Sequence, residues 1–196
     1  MNRSARFVLS ALIVLLGAAL VLGAVLLTPK QNPNGTSSGI PLIGGPFKLT
    51  AQDGRVVTDA DFKGAPMLVF FGYTHCPDVC PTTLFDISQV LAKLPNAKVA
   101  ALFITLDPER DTPAMMKEYL SNFDPRITGL SGDRAALDPV LKAYRVYSRK
   151  VAGTGADYTM DHSAIVYLMD KQGQFVAAFN LDRKPEDSAE QLKSYL

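Results

Sequence analysis

The sequence predicts an α/β domain with a mixed central sheet flanked by helices. Three observations carry this. Two short, continuous apolar runs, Pro66–Tyr73 (PMLVFFGY) and Val99–Leu106 (VAALFITL), have the composition of strands buried on both faces. Each run leads into a segment with helical punctuation. Two further apolar segments, late in the chain, flank a four-residue turn and read as an antiparallel hairpin. Strands that alternate with helices and then close in a hairpin build a sandwich around a mixed sheet.

Taken in order, Phe47–Val57 is expected to form a small hairpin with Asp53-Gly54 as its turn. Pro66–Tyr73 is a strand and is followed by a helix over Asp78–Leu94. After the strand Val99–Leu106, Thr112-Pro113 opens a helix over Pro113–Asn122, with proline at a tolerated first-turn position. Ile127–Leu130 is a short third strand and Ala135–Tyr147 a helix. Ser163–Met169 and Phe175–Phe179 pair across Asp170-Lys171-Gln172-Gly173, and a final helix covers Glu186–Tyr195.

The region before this domain has a different character. Phe7–Leu27 is almost wholly apolar, with Ser10 its one polar side chain. At ~1.5 Å per residue a helix of that length crosses a ~30 Å hydrocarbon core. A cleaved signal peptide would have an apolar region of ~7–15 residues and a small-residue cleavage site, and neither is present. Residues 1–28 are therefore expected to be one N-terminal transmembrane helix that stays attached. Arg3 and Arg6 precede it and hold the short tail on the cytoplasmic side. The expected location is a bacterial inner membrane, single-pass, with the C-terminal domain in the periplasm. Six residues ahead of the span leave no room for an Arg-rich transit peptide. Gly, Pro, Ser and Asn dominate the next stretch, read as a flexible linker over 29–43, with the folded domain over 44–196. The formal net charge is +1, and no basic stripe stands out, so no nucleic-acid partner is expected.

The chain has two cysteines and two histidines. In open α/β sheets chemistry gathers beyond the carboxyl ends of the parallel strands. The segment after PMLVFFGY holds both cysteines, in Thr74-His75-Cys76-Pro77-Asp78-Val79-Cys80-Pro81. Side chains at i and i+4 share one helix face, so Cys76 and Cys80 can share a metal ion or close a disulfide. Both uses need thiolates, and a helix start is expected to lower a thiol pKa. A purely structural disulfide over so short a loop would stabilise little. His162, just ahead of the strand Ala164–Tyr167, is the candidate third metal ligand, as an exposed loop residue. His75 is expected to have a supporting role at most, because adjacent side chains on extended backbone point apart. Sulfur-rich, low-coordinate sites select Cu(I), whereas zinc prefers four ligands and would need Asp78 or Asp161 to join. Met160 and Met169 are possible Cu(I) donors, although methionines beside apolar strands more often fill the core. The stretch Asp107–Asp111, after the second buried strand at the same sheet edge as the cysteines, is read as orienting the site or meeting a partner; Asp111 or Thr112 is expected to cap the helix at Pro113, which leaves the orienting role to Asp107.

The runs FFGYTHCPDVCPTTL (Phe70–Leu84), TLDPERDTP (Thr105–Pro113) and DYTMDHSAIVYLMD (Asp157–Asp170) resemble the Sco/SenC family, as does the lead-in Gly44–Gly64. The resemblance covers nearly the whole domain in the right order. It implies a thioredoxin-like fold behind an N-terminal anchor and copper held by Cys76, Cys80 and His162. It further implies delivery of copper, or of reducing equivalents, to the dinuclear copper centre of cytochrome c oxidase. The expected partners are the oxidase subunit bearing that centre, a thioredoxin-like reductant and another periplasmic copper chaperone. The rival reading makes Cys76 and Cys80 the redox-active pair of a thiol–disulfide oxidoreductase that keeps target copper-site cysteines reduced. A peroxidase of peroxiredoxin type would want a threonine three residues before its cysteine, where this chain has Tyr73 and Pro77.

Overall fold

The structure, a computed structural model, describes residues 43–153 and 157–196. The expected anchor over 1–28, and all but residue 43 of the expected linker, lie outside the described residues. Among the described residues no helix is long and apolar enough to cross a membrane.

The strands are β1 (Lys48–Ala51), β2 (Val56–Thr58), β3 (Met67–Gly72), β4 (Ala100–Thr105), β5 (Ile127–Ser131), β6 (Ser148–Ala152), β7 (Tyr158–His162), β8 (Val166–Met169) and β9 (Phe175–Ala178). The α-helices are α1 (Val79–Ala92), α2 (Pro113–Leu120), α3 (Arg134–Ala143) and α4 (Pro185–Lys193), and a 3-10 turn covers Asp59–Phe62. Seven strands form one sheet in the order β2-β1-β5-β4-β3-β8-β9. Its centre is parallel: β3 pairs β4 with Phe70 opposite Phe103, and β4 pairs β5 with Phe103 opposite Gly129. Both flanks are antiparallel, β8 against β3 and β1 against β5. The result is the mixed sheet that the apolar runs predict, in the thioredoxin-like arrangement that the family resemblance implies.

Every residue of β3 is buried, which explains the unbroken apolar run there. An amphipathic strand would alternate. The rings of Phe70 and Phe103 lie 6.0 Å apart across the β3–β4 pair. Helices α1 and α4 pack on each other, and α2 packs on β5. The turns between the antiparallel strands rest on glycines with left-handed backbone, Gly54 (φ +86°) and Gly173 (φ +78°), where a side chain would be strained.

The structure departs from the sequence reading in two places. The helix expected over Ala135–Tyr147 spans Arg134–Ala143, with the Asp133 side chain capping it by accepting from the Ala136 N–H (2.8 Å). Arg145 then takes φ +56° and turns the chain away. Beyond that turn lies a second, two-stranded sheet, β6 with β7, that the sequence reading misses. Its strands, SRKVA and YTMDH, are mostly solvated and carry no apolar run to signal them.

Candidate metal centre

Strand β3 ends at Gly72, and the chain crosses the carboxyl edge of the sheet through Tyr73–Asp78 before α1 begins at Val79. Cys76 lies in that loop, its N–H donating to the Tyr73 carbonyl (3.2 Å). Cys80 is on the first turn of α1. The Cys80 backbone N–H donates to the Cys76 sulfur at 3.4 Å, so an otherwise open helix-start N–H is aimed at it. Cys76 is half-buried, whereas Cys80 is fully buried, and both are free thiols. The expectation of a lowered thiol pKa does not hold at Cys80. Burial, the largest effect, pushes that thiol up, and the neighbouring Cys76 adds to the rise.

His162 is the last residue of β7, not a loop residue as expected, and it is half-buried. Its ring stands edge-on to Tyr73, 5.9 Å between centroids. Nδ1 lies 3.0 Å from the Ser163 carbonyl oxygen. A carbonyl can only accept, so this bond assigns the proton to Nδ1 and leaves the lone pair on Nε2. That lone pair faces the Cys80 sulfur at 3.7 Å. A backbone carbonyl fixing one ring nitrogen while the other faces outward is the usual arrangement around a metal-ligating histidine.

The ligand atoms of Cys76, Cys80 and His162 all lie within 4.8 Å of one another. With metal–sulfur bonds of ~2.3 Å, donors arranged trigonally around one ion sit ~4 Å apart. The cluster therefore has the dimensions of a three-coordinate site. A cavity of about 360 Å³, lined by Cys76, Tyr73, Val79, Met160 and His162 among others, opens the site on one side.

The remaining candidates fall outside this cluster. Asp78 is exposed, and Asp161 pairs with Arg149 (3.3 Å); both line the cavity beside the site, but neither has a ligand atom in the cluster. Met169 is buried within β8 as core, while Met160 is buried beside the cavity. His75 is bonded through Nδ1 to the Thr74 hydroxyl (3.0 Å) and faces a separate cavity with Met115 and Glu118.

Asp111 has a role other than the cap offered for it. The cap of α2 is Thr112, whose side chain accepts from the Met115 N–H. Asp111 is fully buried and accepts from the Thr74 N–H (3.1 Å), the Thr74 hydroxyl (2.6 Å) and the Thr105 hydroxyl (2.6 Å), tying the cysteine loop to β4. Burial raises its carboxyl above the ordinary range, with the threonine hydrogen bonds opposing the rise. Asp107 is also buried and is bonded to Arg110 and to the Tyr158 hydroxyl. Sequence reading places Arg110 only within the Asp107–Asp111 stretch and does not single out Tyr158, although both stand inside the motifs that carry the family resemblance.

The SCO1/SenC family pattern matches residues 35–196. The chain belongs to the SCO1/SenC family. Among SCO1/SenC relatives, the human mitochondrial SCO1 homolog is 39% identical over 163 residues, covering 81% of this chain and 54% of that protein. The SCO2-like protein of Rickettsia felis is 39% identical over 155 residues, 77% of this chain and 76% of its own length. The chain thus spans little more than half of the human relative and about three quarters of the rickettsial one. Among solved SCO1/SenC structures, Bradyrhizobium japonicum ScoI with copper bound is 61% identical, with a TM-score of 0.77 over 79% of this chain and 99% of that one. Yeast Sco1 with copper bound is 38% identical, with a TM-score of 0.72 over 79% and 88% of the two chains.

Proposed function

We propose that the chain is a membrane-anchored copper metallochaperone that serves assembly of the dinuclear copper centre of cytochrome c oxidase. Cys76, Cys80 and His162 hold the copper, which is cargo. The single observation that carries this is the convergence of two sulfurs and one imidazole lone pair within 4.8 Å, beside an open cavity. Two thiolates and one imidazole in a low-coordinate site suit Cu(I), and imidazole also serves Cu(II). Copper-bound structures of the Bradyrhizobium and yeast relatives support the cargo.

Residues 1–28 anchor the chain in a bacterial inner membrane, 29–43 act as a linker, and the domain over 44–196 works in the periplasm. The apolar run Phe7–Leu27 behind Arg3 and Arg6 supports this placement. Copper binding needs both thiols reduced, and an oxidising compartment closes them. The reading therefore includes a thioredoxin-like reductant, another periplasmic copper chaperone as donor, and the oxidase copper-site subunit as recipient.

A second reading, a thiol–disulfide oxidoreductase for target copper-site cysteines, draws on the asymmetry of the pair. Half-buried Cys76 stands ready to attack, with buried Cys80 behind it to resolve the mixed disulfide. The experiment is anaerobic Cu(I) loading of the reduced chain, with Cys76→Ala, Cys80→Ala and His162→Ala alongside. One copper per chain, lost or sharply weakened in all three variants, supports the chaperone. Weak binding indifferent to His162 transfers the function to thiol exchange.

A further inference from the structure

The β6–β7 hairpin that carries His162 has no hydrogen-bonded ladder to the seven-stranded sheet among the described residues. Backbone pairing therefore reaches His162 only through the short step from β7 to β8, whose Val166 pairs with Phe70 of β3, and side-chain contacts complete its placement. Along β7, Tyr158, Met160 and His162 alternate with Thr159 and Asp161, so the three share one face. Tyr158 is thus one of the side chains through which the face carrying His162 is held in place.

Tyr158 is fixed by the segment between β4 and α2. The Arg110 Nη1 donates to the Tyr158 carbonyl at 3.1 Å, and the guanidinium lies 3.6 Å over the Tyr158 ring. The Tyr158 hydroxyl donates to one oxygen of Asp107 (2.8 Å), and the Arg110 Nε donates to the other. Lys150, bonded to Glu109 (2.8 Å), lies 3.7 Å from the same ring. Arg110 also stands 5.8 Å over Tyr73, the ring against which His162 packs. One residue on from Arg110, Asp111 grips Thr74 of the cysteine loop. A single short segment thus holds both halves of the metal centre.

We infer that Arg110 is a positioning residue: by bridging Asp107 to Tyr158 it fixes the β6–β7 hairpin and sets His162 against Cys76 and Cys80. The inference rests on the proposed copper site. A planar guanidinium can serve the Asp107 carboxylate and the Tyr158 carbonyl at once, and a lysine ammonium keeps the charge but not that fork.

The test is Cu(I) affinity of the reduced full chain, by competition with a chelator. It compares wild type, Arg110→Lys, Tyr158→Phe, His162→Ala and the Arg110→Lys/His162→Ala double variant. Loss of a group that orients a metal ligand costs ~10–100-fold in affinity, and that is expected for Arg110→Lys. Tyr158→Phe keeps the stacked ring, loses only the hydroxyl, and should weaken binding by less. In the His162→Ala background Arg110→Lys should add nothing, because it acts through His162. Wild-type affinity in Arg110→Lys overturns the inference. So does an equal loss on the His162→Ala background, which would mark a general structural effect. If Arg110→Lys does not fold, Tyr158→Phe decides: weakened binding supports the inference, and wild-type affinity overturns it. Wild-type binding that is itself indifferent to His162 rejects the copper site before Arg110 is reached.

Discussion

The Nε2 of His162 lies 3.7 Å from the sulfur of Cys80, although 82 residues separate them in the chain. The two arrive on independent elements: Cys80 on the helix after a buried parallel strand, His162 at the end of a solvated hairpin. Removing the imidazole should therefore leave the thiol pair intact. His162→Ala is expected to weaken Cu(I) binding by more than ~10-fold while the rate of exchange with a small disulfide is unchanged. Chelator competition and a stopped-flow exchange assay on the same preparation check this. A parallel fall in both would mean that His162 supports the cysteine loop rather than the metal.

The cysteines should differ in reactivity. Cys80 is fully buried and its thiol is pushed up by that burial, whereas Cys76 is half-buried at the cavity. Limited alkylation at neutral pH should label Cys76 first, as read by peptide mapping. Metal binding must displace the Cys80 proton throughout the neutral range. Cu(I) affinity should thus rise with pH, by about tenfold per pH unit for that proton. A flat affinity between about pH 6 and pH 8 would show that Cys80 is not a ligand.

Much of the site is legible in the sequence because its sulfur chemistry sits where physical rules place it. The apolar run Pro66–Tyr73 announces a doubly buried strand, and the cysteines come at its carboxyl end. His162 is legible as a residue type near a strand, but its own strand is not, because β7 buries little and has no apolar period. Asp111 misleads for a local reason. A carboxylate just before a Pro-initiated helix looks like a cap, and only the fold brings Thr74 and Thr105 to it. The pairing of Arg110 with Tyr158, 48 residues apart, leaves no local sequence signal at all.

Asp111 should stabilise the cysteine loop strongly. Asp111→Ala leaves the Thr74 N–H and two threonine hydroxyls without their acceptor. A stranded buried group costs ~1–3 kcal/mol, so a total loss of about 3 kcal/mol is expected in denaturant unfolding. Asp111→Asn, which keeps one acceptor oxygen, should lose less. The pH dependence comes from burial, which raises this carboxyl above its ordinary 3.8. The folded state then holds the proton to higher pH than the unfolded chain. The contribution of this group to stability is full below about 3.8 and falls as pH rises through the raised value. Asp111→Asn should lack that decline, and an identical pH profile in the variant would assign the slope to other groups.

Gly72 is the residue on which the packing of Cys80 depends. It ends β3, paired with Thr105 of β4, directly beneath the cysteine loop. A Cβ added there would lie 2.7 Å from the Cys80 sulfur and 2.7 Å from Cε2 of Phe103. Both neighbours are fully buried, and the Phe103 ring lies tilted between those of Phe70 and Tyr119 at 6.0 Å from each, so the added methyl presses on the Cys80 sulfur. Overpacking of this kind costs ~1–3 kcal/mol. Gly72→Ala is expected to lose that much stability and to displace Cys80, so that copper affinity falls in the variant that still folds. Gly45→Ala is the matched control, since its Cβ would meet only Ala143 at 3.4 Å. That change should stay within ~0.5 kcal/mol of wild type. Equal stability and equal copper affinity in the two variants would show that the Cys80 pocket yields, and that the position of this sulfur is not set by β3.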